Sequence, residues 1–126
     1  MRMTSVETEG FAIIDAYGTG GFRISGRRHE GSVILHQDRV FAWLARSINE
    51  ILPSALDAVI DDPASRPQIL LIGCGARFTA MPPGLRKWAE ANTIAADIMD
   101  TGAAARTYNI LRQEDRPVAA ALIAID

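Results

Sequence analysis

The rhythm of apolar residues changes about a third of the way along this chain and predicts two differently built parts. Phe11-Ala12-Ile13-Ile14-Asp15-Ala16-Tyr17 reads as a strand closed by a Gly18-Thr19-Gly20-Gly21 turn, because glycine accepts the dihedrals a tight reversal needs. Phe22-Arg23-Ile24-Ser25 alternates apolar and polar, the period of a half-buried strand. Ser32-Val33-Ile34-Leu35-His36 follows, then a tight turn at Gln37-Asp38, then Arg39-Val40-Phe41-Ala42-Trp43. The first third is therefore β-rich and antiparallel. Over residues 44–52 a short helix and an irregular crossing fit equally well.

The remainder alternates strands with helices. Ser54-Ala55-Leu56-Asp57 has the character of a capping box, with Leu56, Val59 and Ile60 on one helical face. Gln68-Ile69-Leu70-Leu71-Ile72 is a continuous apolar run stopped by Gly73, the mark of a strand covered on both faces. Pro82-Pro83 opens a helix, since proline is tolerated in the first turn, and Leu85, Trp88 and Ala89 line its buried side. Residues 93–99 form the next strand. Thr101 can cap a helix running to about Glu114, Pro117 stops it, and residues 118–125 close the chain as a strand. Three strands separated by two helices are consecutive β-α-β units.

Composition narrows the class. A chain of 126 residues can bury a core as one domain, so residues 1–10 are expected as a flexible polar tail and 11–126 as a single α/β domain. A hydrophobic share of 48% with 22% charged residues is that of an ordinary globular protein. The net charge of −2 and the scattered arginines argue against nucleic acid. No run approaches the roughly 20 apolar residues of a transmembrane helix. The acidic N-terminus lacks the apolar core of a secretion signal, so the expected location is cytoplasmic. The single cysteine rules out an intramolecular disulfide, and His29-Glu30 and His36-Gln37-Asp38 lack metal-ligand spacing. No metal and no cofactor is implied.

Two short segments carry the candidate chemistry. Gly73-Cys74-Gly75 follows a buried strand, where paired glycines let backbone N–H groups approach a ligand. A dinucleotide fingerprint would need a third glycine where Phe78 stands, and the same glycines serve equally in a tight turn. Cys74 has no histidine or acid beside it to make it a nucleophile, so it reads as a small semi-buried residue. Asp100-Thr101 marks a strand-to-helix junction, where both side chains can accept first-turn N–H groups. If strands 68–72 and 94–99 are parallel, both segments lie at their carboxyl ends, where open α/β sheets bind ligands. On the 101–114 helix, Ala104, Tyr108 and Leu111 should face the sheet, while Arg106, Asn109 and Gln113 form a polar stripe on the other side. Arg106 and Asn109 are candidates to hold a carboxylate or peptide groups of a partner, and Arg86 can point to the same edge. No residue set supplies a nucleophile, a base and an orienter together, so no catalytic residue is assigned.

Leu71-Ile72-Gly73-Cys74-Gly75, Pro83-Gly84-Leu85-Arg86, Met99-Asp100-Thr101, Ala105-Arg106-Thr107-Tyr108-Asn109-Ile110-Leu111, Glu114-Asp115-Arg116 and Val118-Ala119-Ala120-Ala121-Leu122-Ile123 together resemble a small-domain family. It includes mitochondrial respiratory complex I assembly factor 3 and prokaryotic proteins of unknown function. The similarity spans about residues 11–125, with Cys74 where the resemblance would place threonine. It implies a three-layer α/β domain with a central mixed sheet and an N-terminal antiparallel β-hairpin layer. It also implies a non-enzymatic accessory or assembly role through protein partners, with subunits of a membrane-associated respiratory complex as candidates. The absence of a transit-like N-terminus points to the prokaryotic branch, peripheral to the inner membrane through its partners. The alternative is a binder or minor enzyme for a small anionic ligand at the carboxyl edge of the parallel strands, with Arg86 and Arg106 supplying charge. A homodimer paired through an apolar face around Phe41 and Trp43 is a further expectation.

Overall fold

The computed structural model describes residues 5–7, 11–50, 55–57 and 66–126. Its strands are β1 (Ser5–Glu7), β2 (Ile14–Gly18), β3 (Gly21–Ile24), β4 (Arg27–Glu30), β5 (Ser32–His36), β6 (Arg39–Trp43), β7 (Ile69–Gly73), β8 (Ala95–Met99) and β9 (Val118–Leu122), with helices α1 (Pro83–Ala91) and α2 (Thr101–Gln113). Two sheets result. The larger is mixed, in the order β1-β6-β5-β9-β7-β8, and the smaller is the meander β2-β3-β4. β7 runs parallel to both β8 and β9, and the other neighbours in either sheet are antiparallel. Residues 5–7 lie within the segment expected to be a tail, yet they pair with β6. Of the helix expected after Ser54, residues 55–57 form a 3-10 turn and the continuation lies outside the described residues.

Alternation along the large sheet builds two cores. Ile34, Leu70, Ile72, Ala119 and Ala121 point to one face and pack with Leu85 of α1 and with Trp43, Ile48 and Leu56. Val33, Leu35, Leu71, Val118, Ala120 and Leu122 point to the other and pack with Ala104, Ala105 and Tyr108 of α2 and with Phe22 and Ile24 of the small sheet. Each face of the central strands is covered, which explains why β5, β7 and β9 read as continuous apolar runs. Ala120 of β9, facing Ala104 and Ala105, lets α2 lie close to the sheet. Trp43 is only 6% exposed and belongs to the α1-side core, so the apolar face expected there for a homodimer is already used by the fold.

Three short reversals shape the N-terminal third, the first at Thr19-Gly20 between β2 and β3, with both residues at positive φ. Ser25-Gly26 and Gln37-Asp38 are two-residue turns of the same kind, the geometry whose twist matches that of the strands it joins. In the second part, β7 crosses to β8 through α1, and β8 returns past β7 to β9 through α2. The two moves run in opposite directions along the sheet. Crossovers of one hand therefore put the helices on opposite faces, as the two cores require. The connections leaving β7 and β8 thus diverge, and the switch point lies between the carboxyl ends of these strands.

Candidate functional site

The switch point brings the two sequence-derived segments together and joins them by hydrogen bonds. Cys74 N–H donates to the Met99 carbonyl at 2.9 Å, and Thr101 N–H donates to the Gly75 carbonyl at 2.8 Å. Gly75 N–H donates back to Thr101 Oγ1 at 3.0 Å, and the Thr101 hydroxyl donates to the Ile123 carbonyl at 2.7 Å. Ile123 N–H in turn reaches the Gly73 carbonyl at 2.9 Å. A single buried hydroxyl therefore couples the ends of β7, β9 and α2. Asp100 alone is the N-cap: its Oδ1 accepts from Ala103 N–H at 2.9 Å. Thr101, expected to share that task, is the first residue of the helix and turns its hydroxyl to the two loops instead.

Close approach leaves little room at this junction. A Cβ on Gly73 would stand 3.0 Å from the Thr101 Cα and Oγ1 and from Leu122, and Gly75 sits at φ +115°, which side-chain-bearing residues rarely adopt. The N–H groups of Cys74, Gly75, Thr101 and Ala103 are all occupied by the chain itself, so these groups do not form an open phosphate cradle. Cys74 is buried and organises the loop that follows: its Sγ accepts from Thr79 N–H and donates to the Arg77 carbonyl, both at 3.3 Å. The loop so held presents Arg77 and Phe78 outward, Phe78 being 67% exposed. Sequence reasoning passed over this pair. Its only signal was a phenylalanine in the polar turn region after Gly75.

The polar stripe of α2 is largely committed to the small sheet. Asn109 accepts from Ile14 N–H through Oδ1 and donates to the Ile14 carbonyl through Nδ2, both at 2.9 Å. Its amide thus completes the edge of β2 as a neighbouring strand would. Arg106 donates from Nη1 to the Tyr17 hydroxyl at 2.8 Å, and that hydroxyl lies over Gly102, where a Cβ would meet it at 2.7 Å. Arg86 is exposed on α1, on the opposite face of the sheet from Arg106, so the two arginines do not converge. Asn109→Ala is expected to cost about 1–3 kcal/mol, the usual loss when backbone groups lose their partner. Urea titration would measure it, with faster hydrogen exchange at the Ile14 amide. An unchanged Ile14 amide would refute the clasp.

A stronger electrostatic anchor lies one turn farther along α2, at residues that sequence reasoning did not connect. Arg112 grips Asp38 in a fork, Nε to Oδ1 at 2.9 Å and Nη2 to Oδ2 at 2.6 Å, while Nη1 reaches Asp115 at 3.1 Å. The guanidinium also stacks over Phe11, 4.3 Å from the ring centroid. Asp38 further accepts from Ala12 N–H at 3.0 Å. Burial pushes its carboxyl pKa up. The Arg112 hydrogen bonds, the Ala12 amide and the Arg112 charge outweigh this and hold the pKa below the ordinary value. Tyr108, fully buried beside this pair, has its pKa raised by burial and then by the Asp38 charge, against a smaller opposite effect of Arg112.

Comparison with known proteins agrees with this architecture. The chain is 38% identical over 110 residues to an uncharacterized protein of Rhodobacter capsulatus, covering 87% of this chain and 82% of that protein. It is 30% identical over 113 residues to the NADH dehydrogenase [ubiquinone] 1 alpha subcomplex assembly factor 3 of Xenopus tropicalis, covering 90% of this chain and 61% of that protein. A crystal structure described as an outer membrane protein from Bartonella henselae superimposes with a TM-score of 0.85 at 37% identity, over 93% of this chain and 98% of that one. Among the described residues, no helix is long and apolar enough to cross a membrane. The chain belongs to the family described as "Protein of unknown function (DUF498/DUF598)", whose model matches residues 14–123.

Proposed function

We propose that this protein is a non-enzymatic accessory or assembly factor that acts through protein partners, with assembly of respiratory complex I as its process. The observation that carries the reading is the state of the switch point. The N–H groups of Cys74, Gly75, Thr101 and Ala103 are satisfied by the chain itself, while the loop beside them holds Arg77 and Phe78 out to solvent. An exposed aromatic next to an arginine on a tethered loop is the composition of an interface anchor. The vertebrate relatives named as assembly factors support the process, although this chain spans only about 60% of the length of those from Xenopus tropicalis and Bos taurus. The small-ligand reading is weaker, because Arg106 is engaged by Tyr17 and Arg86 stands on the other face. In this reading the protein is cytoplasmic and reaches the inner membrane only through its partners.

The test is capture from native membranes with the wild-type chain and with Phe78→Ala. Recovery of the same respiratory-complex subunits in repeated captures is expected with wild type, with at least a tenfold loss for Phe78→Ala. No specific partner, together with normal complex assembly in a deletion strain, would overturn the proposal. Fractionation of the same cells should place the protein in the cytoplasm and in the salt-released inner-membrane wash. Recovery with the outer membrane would contradict that location.

A further inference from the structure

The last strand of the large sheet, β8, has an edge with nothing paired to it among the described residues. The direction of each backbone group follows from two bonds. Ala95 N–H donates to the Gln68 carbonyl at 3.0 Å, and the Met99 carbonyl accepts from Cys74 N–H at 2.9 Å. Because successive residues of a strand point their peptide groups to opposite sides, Ala95, Asp97 and Met99 bond toward β7. Ala96 and Ile98 therefore turn their N–H and C=O groups outward. The slot is bounded at both ends, by Ile94 N–H bonded to the Ala89 carbonyl and by the Asp100 cap of α2.

Both edges of the small sheet are protected. β4 carries Arg27, Arg28, His29 and Glu30, a charged composition that discourages strand addition, and the Asn109 side chain occupies the backbone of Ile14 in β2. On β8, the side chains of Ala96 and Ile98 join the α1-side core from its margin, while Asp97 is exposed on the other face.

We propose that the outer edge of β8 is a strand-addition site for an extended segment of a partner protein with the pattern apolar-basic-apolar. This rests on the partner-binding reading above and names a surface and a partner chemistry for it. An antiparallel segment pairing its two apolar residues with Ala96 and Ile98 makes four backbone hydrogen bonds and extends the α1-side core. Its central lysine or arginine then stands directly opposite Asp97 on the other face, where opposite charges attract. A second copy of this chain fits poorly. The only self-pairing that uses all four groups sets Ala96 against Ile98 of the other copy, and this places the two Asp97 carboxylates face to face.

The experiment is amide hydrogen exchange by NMR on the full chain, with the acetylated and amidated peptide Thr-Ser-Val-Lys-Val-Ser-Thr and its Glu-for-Lys counterpart at millimolar concentration. The Lys peptide is expected to slow exchange at Ala96 and Ile98 at least fivefold, and the Glu peptide to leave both unchanged. In Asp97→Lys the preference should reverse. No slowing with either peptide, equal slowing with both, or slowing that depends on protein concentration alone would overturn the proposal, the last outcome indicating self-pairing. Membrane capture with Asp97→Lys separates the two readings. If the variant retains every wild-type partner, the β8 site is wrong and the partner-binding reading stands. If wild type captures nothing, that reading itself fails.

Discussion

Thr101→Val should lower the stability of this domain by about 2–4 kcal/mol, since it strands a buried Gly75 N–H and a buried Ile123 carbonyl at once. Valine matches threonine in shape, so packing changes little and the loss reports the two hydrogen bonds. A domain of this size has a total stability of roughly 5–15 kcal/mol, so the variant should unfold at a clearly lower urea concentration with an unchanged slope. Thr101→Ser keeps the hydroxyl and loses one methyl, for about 1 kcal/mol. If valine and serine cost the same, the hydroxyl does not couple the three elements. The effect is expected to be large because Thr101 is fully buried, where no water can replace the lost partner.

Arg112→Ala is the second large effect. The Asp38 and Arg112 side chains are 20% and 15% exposed, so removing the guanidinium leaves a carboxylate partly desolvated and without its fork, at a cost of about 2–4 kcal/mol. It also removes the cation above Phe11. The pH dependence identifies the pair. Asp38 has a folded pKa held below its unfolded one, so its contribution is fully present above the ordinary carboxylate pKa of about 3.9. It is lost as pH falls through the lower folded value. Urea midpoints between pH 2 and 6 should therefore fall steeply with acid in wild type, and less steeply in Arg112→Ala below about pH 4. Parallel curves for the two proteins would show that the fork contributes nothing.

Both effects involve residues far apart in sequence, and this governs how much was legible beforehand. The apolar runs of β5, β7 and β9 and the helical spacing of Leu85 with Ala89 and of Ala104 with Tyr108 declare themselves, because burial selects residues by local period. β4 does not. Arg27-Arg28-His29-Glu30 has no apolar alternation, and it is a strand because β3 offers it a hydrogen-bonding edge. The junction of Gly73–Gly75 with Asp100–Thr101 was legible as a location, since parallel strands must end on one side. Its chemistry was not. Whether Thr101 caps its own helix or ties two loops depends on where Ile123 and Gly75 arrive, 22 and 26 residues away. Asn109 likewise looked like a solvent-facing residue until β2, 95 positions earlier, came to lie against it.

Residue order alone was enough for the order and type of most elements, the two-sided burial of β7 and the placement of the glycine turn beside the start of α2. These follow from short-range periodicity and from residues with special backbone preferences. Tertiary structure alone decided which polar groups are spent inside the fold and which face outward. Hydrogen bonds at Thr101, Asn109 and Arg112 close only when distant segments meet, whereas the side chains of Arg77 and Phe78 are left facing solvent and the outer edge of β8 has no paired strand among the described residues.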